Sequence, residues 1–150
     1  MKLLCFHTLN FKSKIYDGVS SGKKGRSENR LRKKLGTSLP VITQIDYEVA
    51  NALVGFICIE KEDGKIVLSR VRDFVIETKK TAGAAKIVIV PFGHLSTEPA
   101  EAEFAKTVID ALVQMIRELE AETTDVPFGW DKSLFLDIPC HHYNVRFGSF

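Results

Sequence analysis

The chain has 150 residues, the usual length of one globular domain, with 45% hydrophobic and 27% charged residues. This composition excludes a disordered chain, a collagen-like repeat and a disulfide-stapled miniprotein, and no apolar run reaches the ~18 residues that a membrane helix needs. The apolar start ends at His7, too early for a secretory signal, and the three cysteines are far apart. We therefore expect a reduced, cytoplasmic protein with no membrane association.

The net charge of +2 conceals an uneven distribution. Nine Lys or Arg and two acids lie between Lys12 and Lys34, a net charge of +7, whereas the rest of the chain carries −5. A basic segment on a mildly acidic body indicates a polyanionic partner. Glycines and serines interrupt any period there, so we interpret residues 12–40 as a long irregular insertion with a short helix near Asn29 to Leu35.

In chain order, the hydrophobic pattern predicts five strands and two helices. The predicted strands are Lys2 to Phe6, Ala52 to Ile59, Lys86 to Val90, Ser133 to Ile138 and Tyr143 to Phe147. The predicted helices run from Ile66 to Ala82, closed by Gly83, and from about Ala100 to Ala121. The second helix has an apolar face that we interpret as core packing, made of Phe104, Val108, Ile109, Leu112, Met115, Ile116 and Leu119. Strands alternating with helices indicate one α/β domain with a mixed, partly parallel sheet.

Several catalytic and cofactor patterns do not occur in the sequence. There is no glycine-rich phosphate loop, GxGxxG after a strand, HExxH or CxxC. Cys140-His141-His142 suggests a metal site with His7 or His94, but adjacent histidines on a strand point to opposite faces. We predict neither a metal nor a cofactor.

The first segment with chemical potential is Pro91 to Glu98, which links a buried strand to the second helix. Loops at the carboxyl ends of strands are where α/β sheets place ligands, and free backbone N–H groups there favour anions. His94 is then a ligand contact or a proton carrier, or else a hydrogen-bonded loop histidine. Ser96 and Thr97 are interpreted as helix-capping residues.

The second such segment is Val126 to Lys132, which contains another Pro-Phe-Gly turn before a strand. Lys132 lies next to structured, partly apolar surroundings, which can make a lysine useful in binding or in orienting water. The alternative is a solvated lysine at a strand start, paired with Asp131.

Four blocks of the sequence carry a family resemblance. They are Leu3-Leu4-Cys5-Phe6-His7-Thr8, Ala52 to Lys61, Val90-Pro91-Phe92-Gly93-His94-Leu95-Ser96 and Pro127-Phe128-Gly129-Trp130-Asp131-Lys132. The blocks resemble, in order and separation, an apolar strand ending in His-Ser, a strand ending in Val-Glu-Lys, Tyr-Pro-Phe/Tyr-Ala-His-Leu-Ser, and Pro-Phe-Gly-Tyr/Trp-Tyr-Lys. These are features of the archaeal N-terminal editing domain of threonyl-tRNA synthetase, whose fold is related to D-aminoacyl-tRNA deacylases. The resemblance covers the chain from residue 1 to about 135 apart from the insertion.

The resemblance implies a proofreading esterase that hydrolyses seryl-tRNA(Thr) and spares threonyl-tRNA(Thr). The family's water-positioning lysine maps to Lys132, the 2′-OH of the terminal adenosine takes part in catalysis, and the pocket histidine maps to His94. The resemblance thus implies Lys132 and His94 as the catalytic residues. Further substrate-binding positions are His7, Pro91, Gly93, Phe128, Asp131 and His141. The implied partners are tRNA, a threonyl-tRNA synthetase and a second copy in a homodimer. We assign phosphate contacts to the basic segment, at Lys23, Lys24, Arg26, Arg30, Arg32, Lys33 and Lys34.

Two departures from the family pattern keep other hypotheses open. Asp131 stands where the family has an aromatic residue, and the ending Gly-His-Pro-Leu-Ala-Glu-Leu-Ser-Arg does not occur, with His141 as its single echo. The alternatives are a non-catalytic tRNA-binding module and a D-aminoacyl-tRNA deacylase. Because no aminoacylation domain follows Phe150, we expect either a freestanding protein acting in trans or a fragment.

Overall fold

A mixed sheet of six strands forms the centre of the domain in a computed structural model, which describes residues 1–16, 35, 42, 44–63 and 68–150. The strands within those ranges are β1 (Lys2–Ile15), β2 (Asp46–Cys58), β3 (Lys86–Pro91), β4 (Thr123–Asp125), β5 (Lys132–Asp137) and β6 (Val145–Ser149). The helices are α1 (Leu68–Ala82) and α2 (Ala102–Arg117), with a 3₁₀ helix at Gly93–Leu95. The predicted alternation of strands and helices is confirmed.

The sheet has the order β4-β3-β2-β1-β5, with β6 also beside β1. β1 and β2 pair antiparallel, whereas β2 with β3 and β3 with β4 pair parallel. The edge of β1 that faces away from β2 pairs with two strands. β6 pairs with the first half of β1, and β5 pairs with its second half. The parallel pairs place the carboxyl ends of β2 and β3 side by side, which positions the site described below.

At the position where Leu9 of β1 lies opposite Asn51 of β2, the side chains of both strands change from one face of the sheet to the other. Leu3 and Cys5 pack in the cluster under the helices, whereas Phe11 packs in a second cluster. A strand with strict alternation would keep all three on one face. Asn51 has a φ of 48°, in the left-handed region that asparagine tolerates better than most residues. This local twist lets the same two strands contribute to two cores.

The helices cover one face of the sheet with aliphatic side chains. The buried positions are Val71 and Val75 of α1 and Ile109, Leu112, Val113 and Ile116 of α2. Phe104 and Leu119 were expected on the same apolar face, but they are 39% and 61% exposed. The prediction is wrong for Leu119 because α2 ends at Arg117. None of the described helices is long and apolar enough to cross a membrane.

The first strand is longer than predicted, because Lys12 to Ile15 belong to β1 rather than to an irregular insertion. Lys12 lies 2.7 Å from Glu48 and Lys14 lies 4.0 Å from Asp46, measured between Nζ and the carboxylate oxygen. Two cations of the basic segment are therefore paired with acids of β2. The rest of the predicted insertion and its helix lie outside the described residues, except Tyr16 and Leu35. Leu35 is buried in the second cluster.

Candidate functional site

An open cavity of about 800 Å³ lies at the carboxyl ends of β2 and β3. Four parts of the chain line it: the end of β2 at residues 57–59, the connection from β3 into α2 at residues 91–102, the α2 positions Ala105 and Ile109, and residues 128–134 around the start of β5. Crevices at this edge of an α/β sheet are the usual place for a ligand. The two segments that the sequence analysis singled out thus meet in one cavity.

The connection after β3 supplies Pro91, Gly93 and His94 to the cavity wall. His94 lies in the 3₁₀ turn, is exposed, and presents its ring edge to Phe92, with 5.5 Å between centroids and 70° between planes. This contact orients the imidazole without enclosing it. His94 is therefore open to a ligand and to proton exchange with solvent.

Lys132 is the first residue of β5 and is half-buried in the opposite wall. Its ammonium donates a hydrogen bond to the carbonyl oxygen of Pro127, with 2.9 Å between Nζ and O. Burial lowers the pKa of Lys132 from 10.5 to about 8, against the opposing charge of Asp131. Gly129 forms the turn between Pro127 and Lys132 with a φ of 76°, a conformation that glycine adopts without strain. The site therefore holds a lysine that loses its proton around pH 8, well below the usual range of a lysine.

Phe128 and Asp131 also line the cavity. Phe128 packs against both hydrophobic clusters, which fixes the turn before β5. The carbonyl oxygen of Asp131 accepts a hydrogen bond from the N–H of Tyr16 at 2.9 Å, so the segment is also tied to the end of β1. Six predicted site residues thus share one cavity: Pro91, Gly93, His94, Phe128, Asp131 and Lys132.

His7 and His141 are bonded to each other and are not among the residues that line the cavity. Nδ1 of His141 accepts from the N–H of Tyr143 at 3.2 Å, so a neutral ring carries its proton on Nε2. That proton is donated to Nδ1 of His7 at 2.7 Å, and Nε2 of His7 donates to Oδ1 of Asn51 at 2.9 Å. All four ring nitrogens have partners, which assigns the pair a structural role.

The further residues that line the cavity, which the sequence did not single out as ligand contacts, include Cys58, Ser96 and Trp130. Cys58 is buried, its thiol lies 3.5 Å from the carbonyl oxygen of Gly93, and burial raises its pKa. Ser96 does not cap α2, which begins after Glu101, and instead donates a hydrogen bond to Glu60. The signal that could have found Cys58 is its position at the carboxyl end of a buried strand.

The seven cations assigned to tRNA phosphates all lie outside the described residues: Lys23, Lys24, Arg26, Arg30, Arg32, Lys33 and Lys34. The predicted contact of this segment with nucleic acid therefore stays a prediction.

Comparison with known proteins shows the family of this chain. Residues 1–143 match the archaea-specific editing domain of threonyl-tRNA synthetase. The chain is 33% identical over 93 residues to the threonine–tRNA ligase of Thermofilum pendens, covering 61% of this chain and 15% of that protein. It is 30% identical over 94 residues to the threonine–tRNA ligase editing subunit of Saccharolobus solfataricus, covering 63% of this chain and 24% of that protein. The chain thus spans a quarter or less of the length of these relatives.

A solved structure, the c-Myc DNA Unwinding Element Binding Protein, is similar to the whole chain. The TM-score is 0.69 at 10% sequence identity, covering 100% of this chain and 99% of that one. At this identity the likeness concerns the fold alone, and it confirms the predicted α/β fold with a mixed sheet and two main helices. The match over residues 1–143 goes further, and the chain belongs to the family of archaea-specific editing domains of threonyl-tRNA synthetase.

Proposed function

We propose that the chain is an aminoacyl-tRNA deacylase that hydrolyses the ester of mischarged seryl-tRNA(Thr). Family membership supports a role in tRNA editing in general. The observation that carries the specific proposal is Lys132, a half-buried lysine with a pKa of about 8 on the wall of an open cavity. A lysine in this state exchanges protons at the pH of the cell, which an ester hydrolase can use.

In the proposed reaction the neutral amine of Lys132 accepts a hydrogen bond from the attacking water. The carbonyl of Pro127 accepts one N–H of Lys132 and so directs the lone pair of the neutral amine. As the water oxygen bonds to the ester carbon, its proton moves to Nζ. The ester bond to the ribose oxygen then breaks, and that oxygen takes a proton from the ammonium. No nucleophile of the protein is needed because an aminoacyl ester is already activated.

The other contributions are placement and discrimination. We assign His94 to contact the terminal adenosine or the ester, and the 2′-OH of that adenosine to the catalytic role that the resemblance implies. Serine and threonine differ by one methyl group, which a hydrophobic pocket discriminates by ~1 to 3 kcal/mol. The cavity wall includes the aliphatic side chains Ile57, Ile59 and Ala105, which can exclude that methyl group by size.

The partners and setting complete the proposal. The protein acts in trans in the cytoplasm on the 3′ end of tRNA, in association with a threonyl-tRNA synthetase, and residues 12–40 add contacts to tRNA phosphates through the seven cations named above. We also propose a homodimer. Exposed apolar side chains on neighbouring strands, Phe135, Val145 and Phe147, are candidates for its interface. Sedimentation velocity of the wild type and of Phe147→Glu tests this, since a monomeric wild type contradicts it.

The experiment that tests the function is a panel of aminoacyl-tRNAs incubated with the purified protein. We expect turnover of seryl-tRNA(Thr), little turnover of threonyl-tRNA(Thr), and loss of turnover in Lys132→Ala. Esters of D- and L-amino acids are included, because preference for D-esters would make the protein a D-aminoacyl-tRNA deacylase instead. Full activity without Lys132 would refute the mechanism.

A second candidate is a tRNA-binding module that keeps the fold without the reaction. The observation that favours it is His141, the single echo of the family's C-terminal pattern, which is bonded to His7 rather than placed at the cavity. Salt-sensitive tRNA binding without hydrolysis of any ester in the panel would select this candidate.

A further inference from the structure

We propose that Glu60 is a positioning residue for the cavity: by holding the hydroxyl of Ser96, it keeps the loop that carries His94 in the shape that binds substrate. Glu60 itself lies behind the cavity wall and is not among the residues that line it, whereas Ser96 is. The proposal deepens the proposed function and rests on it for its kinetic readout, while its structural readout is independent.

The hydroxyl of Ser96 has both of its hydrogen-bonding roles filled. It donates to Oε1 of Glu60 at 2.6 Å, and it accepts from the N–H of Glu98 at 3.1 Å. A hydrogen bond to a carboxylate is shorter and stronger than one between neutral groups. The two bonds together fix the serine rotamer and join the loop to the residue that follows β2.

Glu60 is in turn held from several directions. Its Oε2 lies 3.1 Å from the ammonium of Met1 and 3.8 Å from Nζ of Lys2, and its own N–H donates to Oδ2 of Asp63 at 2.6 Å. The side chain is 22% exposed. A carboxylate with this many partners is a fixed anchor, so the Ser96 hydroxyl is tied to an immobile group.

The same contacts argue against Ser96 as a nucleophile. The hydrogen bond from Ser96, followed by the ammonium of Met1 and the charge of Lys2, lowers the pKa of Glu60. A carboxyl group with a lowered pKa is a weak base and does not take the proton of a hydroxyl. The arrangement therefore suits positioning rather than nucleophilic catalysis.

The backbone of the loop is attached toward its ends. The N–H of Phe92 donates to the carbonyl of Ile57, and the N–H of Ala100 donates to the carbonyl of Ile59, each at 2.8 Å, while the N–H of Lys61 donates to the carbonyl of Glu98 at 3.4 Å. Between Phe92 and Glu98, Leu95 packs against the second cluster, and the described polar side-chain contacts are the weak thiol contact of Cys58 and the bond from Ser96 to Glu60. The segment with His94 lies between the two clamped ends, where the Ser96 bond limits its motion.

Without the bond between Ser96 and Glu60, a smaller fraction of molecules has the loop in the shape that binds substrate. Apparent affinity falls in proportion to that fraction, whereas a saturating substrate restores the competent shape. We therefore expect Glu60→Ala and Ser96→Ala to raise KM for seryl-tRNA(Thr) on the order of tenfold with kcat nearly unchanged. Glu60→Gln, which keeps an acceptor oxygen, restores most of the affinity.

The test combines kinetics with two measurements that need no turnover. Hydrogen exchange of peptides covering residues 92–98 should accelerate in Glu60→Ala and Ser96→Ala but not in Glu60→Gln. Fluorescence of Trp130, the single tryptophan, which lines the cavity, reports binding of an amide-linked seryl-adenosine that cannot be hydrolysed. The matched control is Glu118→Ala, an exposed glutamate beyond α2, which should leave exchange and binding unchanged.

In KM and loop exchange, the double variant Glu60→Ala/Ser96→Ala should be close to the more affected single variant, because both single variants remove the same bond between the loop and Glu60. Additive losses, unchanged loop exchange, or a fall in kcat with KM preserved would overturn the proposal. A wild type that hydrolyses no ester would refute the proposed function instead, and the exchange data would still decide the role of Glu60.

Discussion

Two regions of the central sheet use similar polar residues in opposite ways. At the carboxyl ends of β2 and β3, His94 and Lys132 line an open cavity, and the lysine makes a single described side-chain bond, to Pro127. Near the middle of β1, His7 and His141 form a closed chain in which every ring nitrogen has a partner. Residue type alone therefore does not distinguish a candidate site from a structural network. The distinguishing property is whether the side chains have hydrogen-bonding groups left for a ligand.

The largest expected effect is at the cavity end, in Lys132→Ala. Deacylation of seryl-tRNA(Thr) should fall by at least about 100-fold, the contribution typical of a positioned acid or base. Lys132→Arg should fall similarly, because a guanidinium does not deprotonate. Single-turnover rates measure this, with Lys80→Ala, an exposed lysine of α1, as the control that stays active.

The second largest effect is expected at the pair of His7 and His141, and it concerns stability. His7→Ala should lower the free energy of unfolding by ~1 to 3 kcal/mol, because Asn51 and His141 lose their partner in a largely buried place. Activity of the folded variant should be retained. Urea unfolding followed by deacylation assays tests both, and a stable variant without activity would move His7 into the site.

The pH dependence of deacylation sharpens the assignment of Lys132. With a pKa of about 8, the amine is neutral in about a tenth of molecules at pH 7 and in about half at pH 8. The enzyme-catalysed rate, after subtraction of spontaneous hydrolysis, should therefore rise through this range and level off above it. A rate that falls from pH 7 to 9 would show that the ammonium is the active form.

The smallest effect is expected for Gly93→Ala. A Cβ at Gly93 meets no atom within 4 Å, so stability should change by less than about 0.5 kcal/mol. Because Gly93 lines the cavity, the added methyl should raise the ratio of seryl to threonyl hydrolysis a few-fold. The contrasting variant is Gly148→Ala, whose Cβ lies 2.6 Å from the ring of Phe150 and should destabilise the fold.

Hydrophobic patterning predicted the elements that build the core. β3, α1, α2 and the part of β2 from Ala52 onward lie where continuous or periodic apolar positions indicated them, and Pro91 ends β3 as expected. The first six residues of β2, from Asp46, were not predicted as strand. The two Pro-Phe-Gly segments were selected separately, and the parallel pairing of β2 and β3 explains why they meet.

The features that the sequence did not predict depend on contacts between distant parts of the chain, which a local sequence pattern does not contain. β4 has three residues and exists through its pairing with β3. The extension of β1 was hidden by its lysines, although Phe11, Ser13 and Ile15 alternate as buried positions. The exposed lysines of that segment lie opposite acidic residues of β2. This pairing of charges becomes visible only when β1 and β2 are aligned with each other. The partnership of His7 with His141 likewise needs a contact 134 residues apart.

The shared edge of β1 has a consequence for how the protein forms. β1 pairs with β5 and β6, which the ribosome makes more than a hundred residues after β1. Such non-local pairing slows folding, and it leaves one edge of β1 open while the chain grows. The lysines at positions 12 and 14 are residues of the kind that discourage edge-to-edge association. The nascent chain therefore completes its sheet only when β5 and β6 emerge, and the cavity, which needs the start of β5, forms at that late stage.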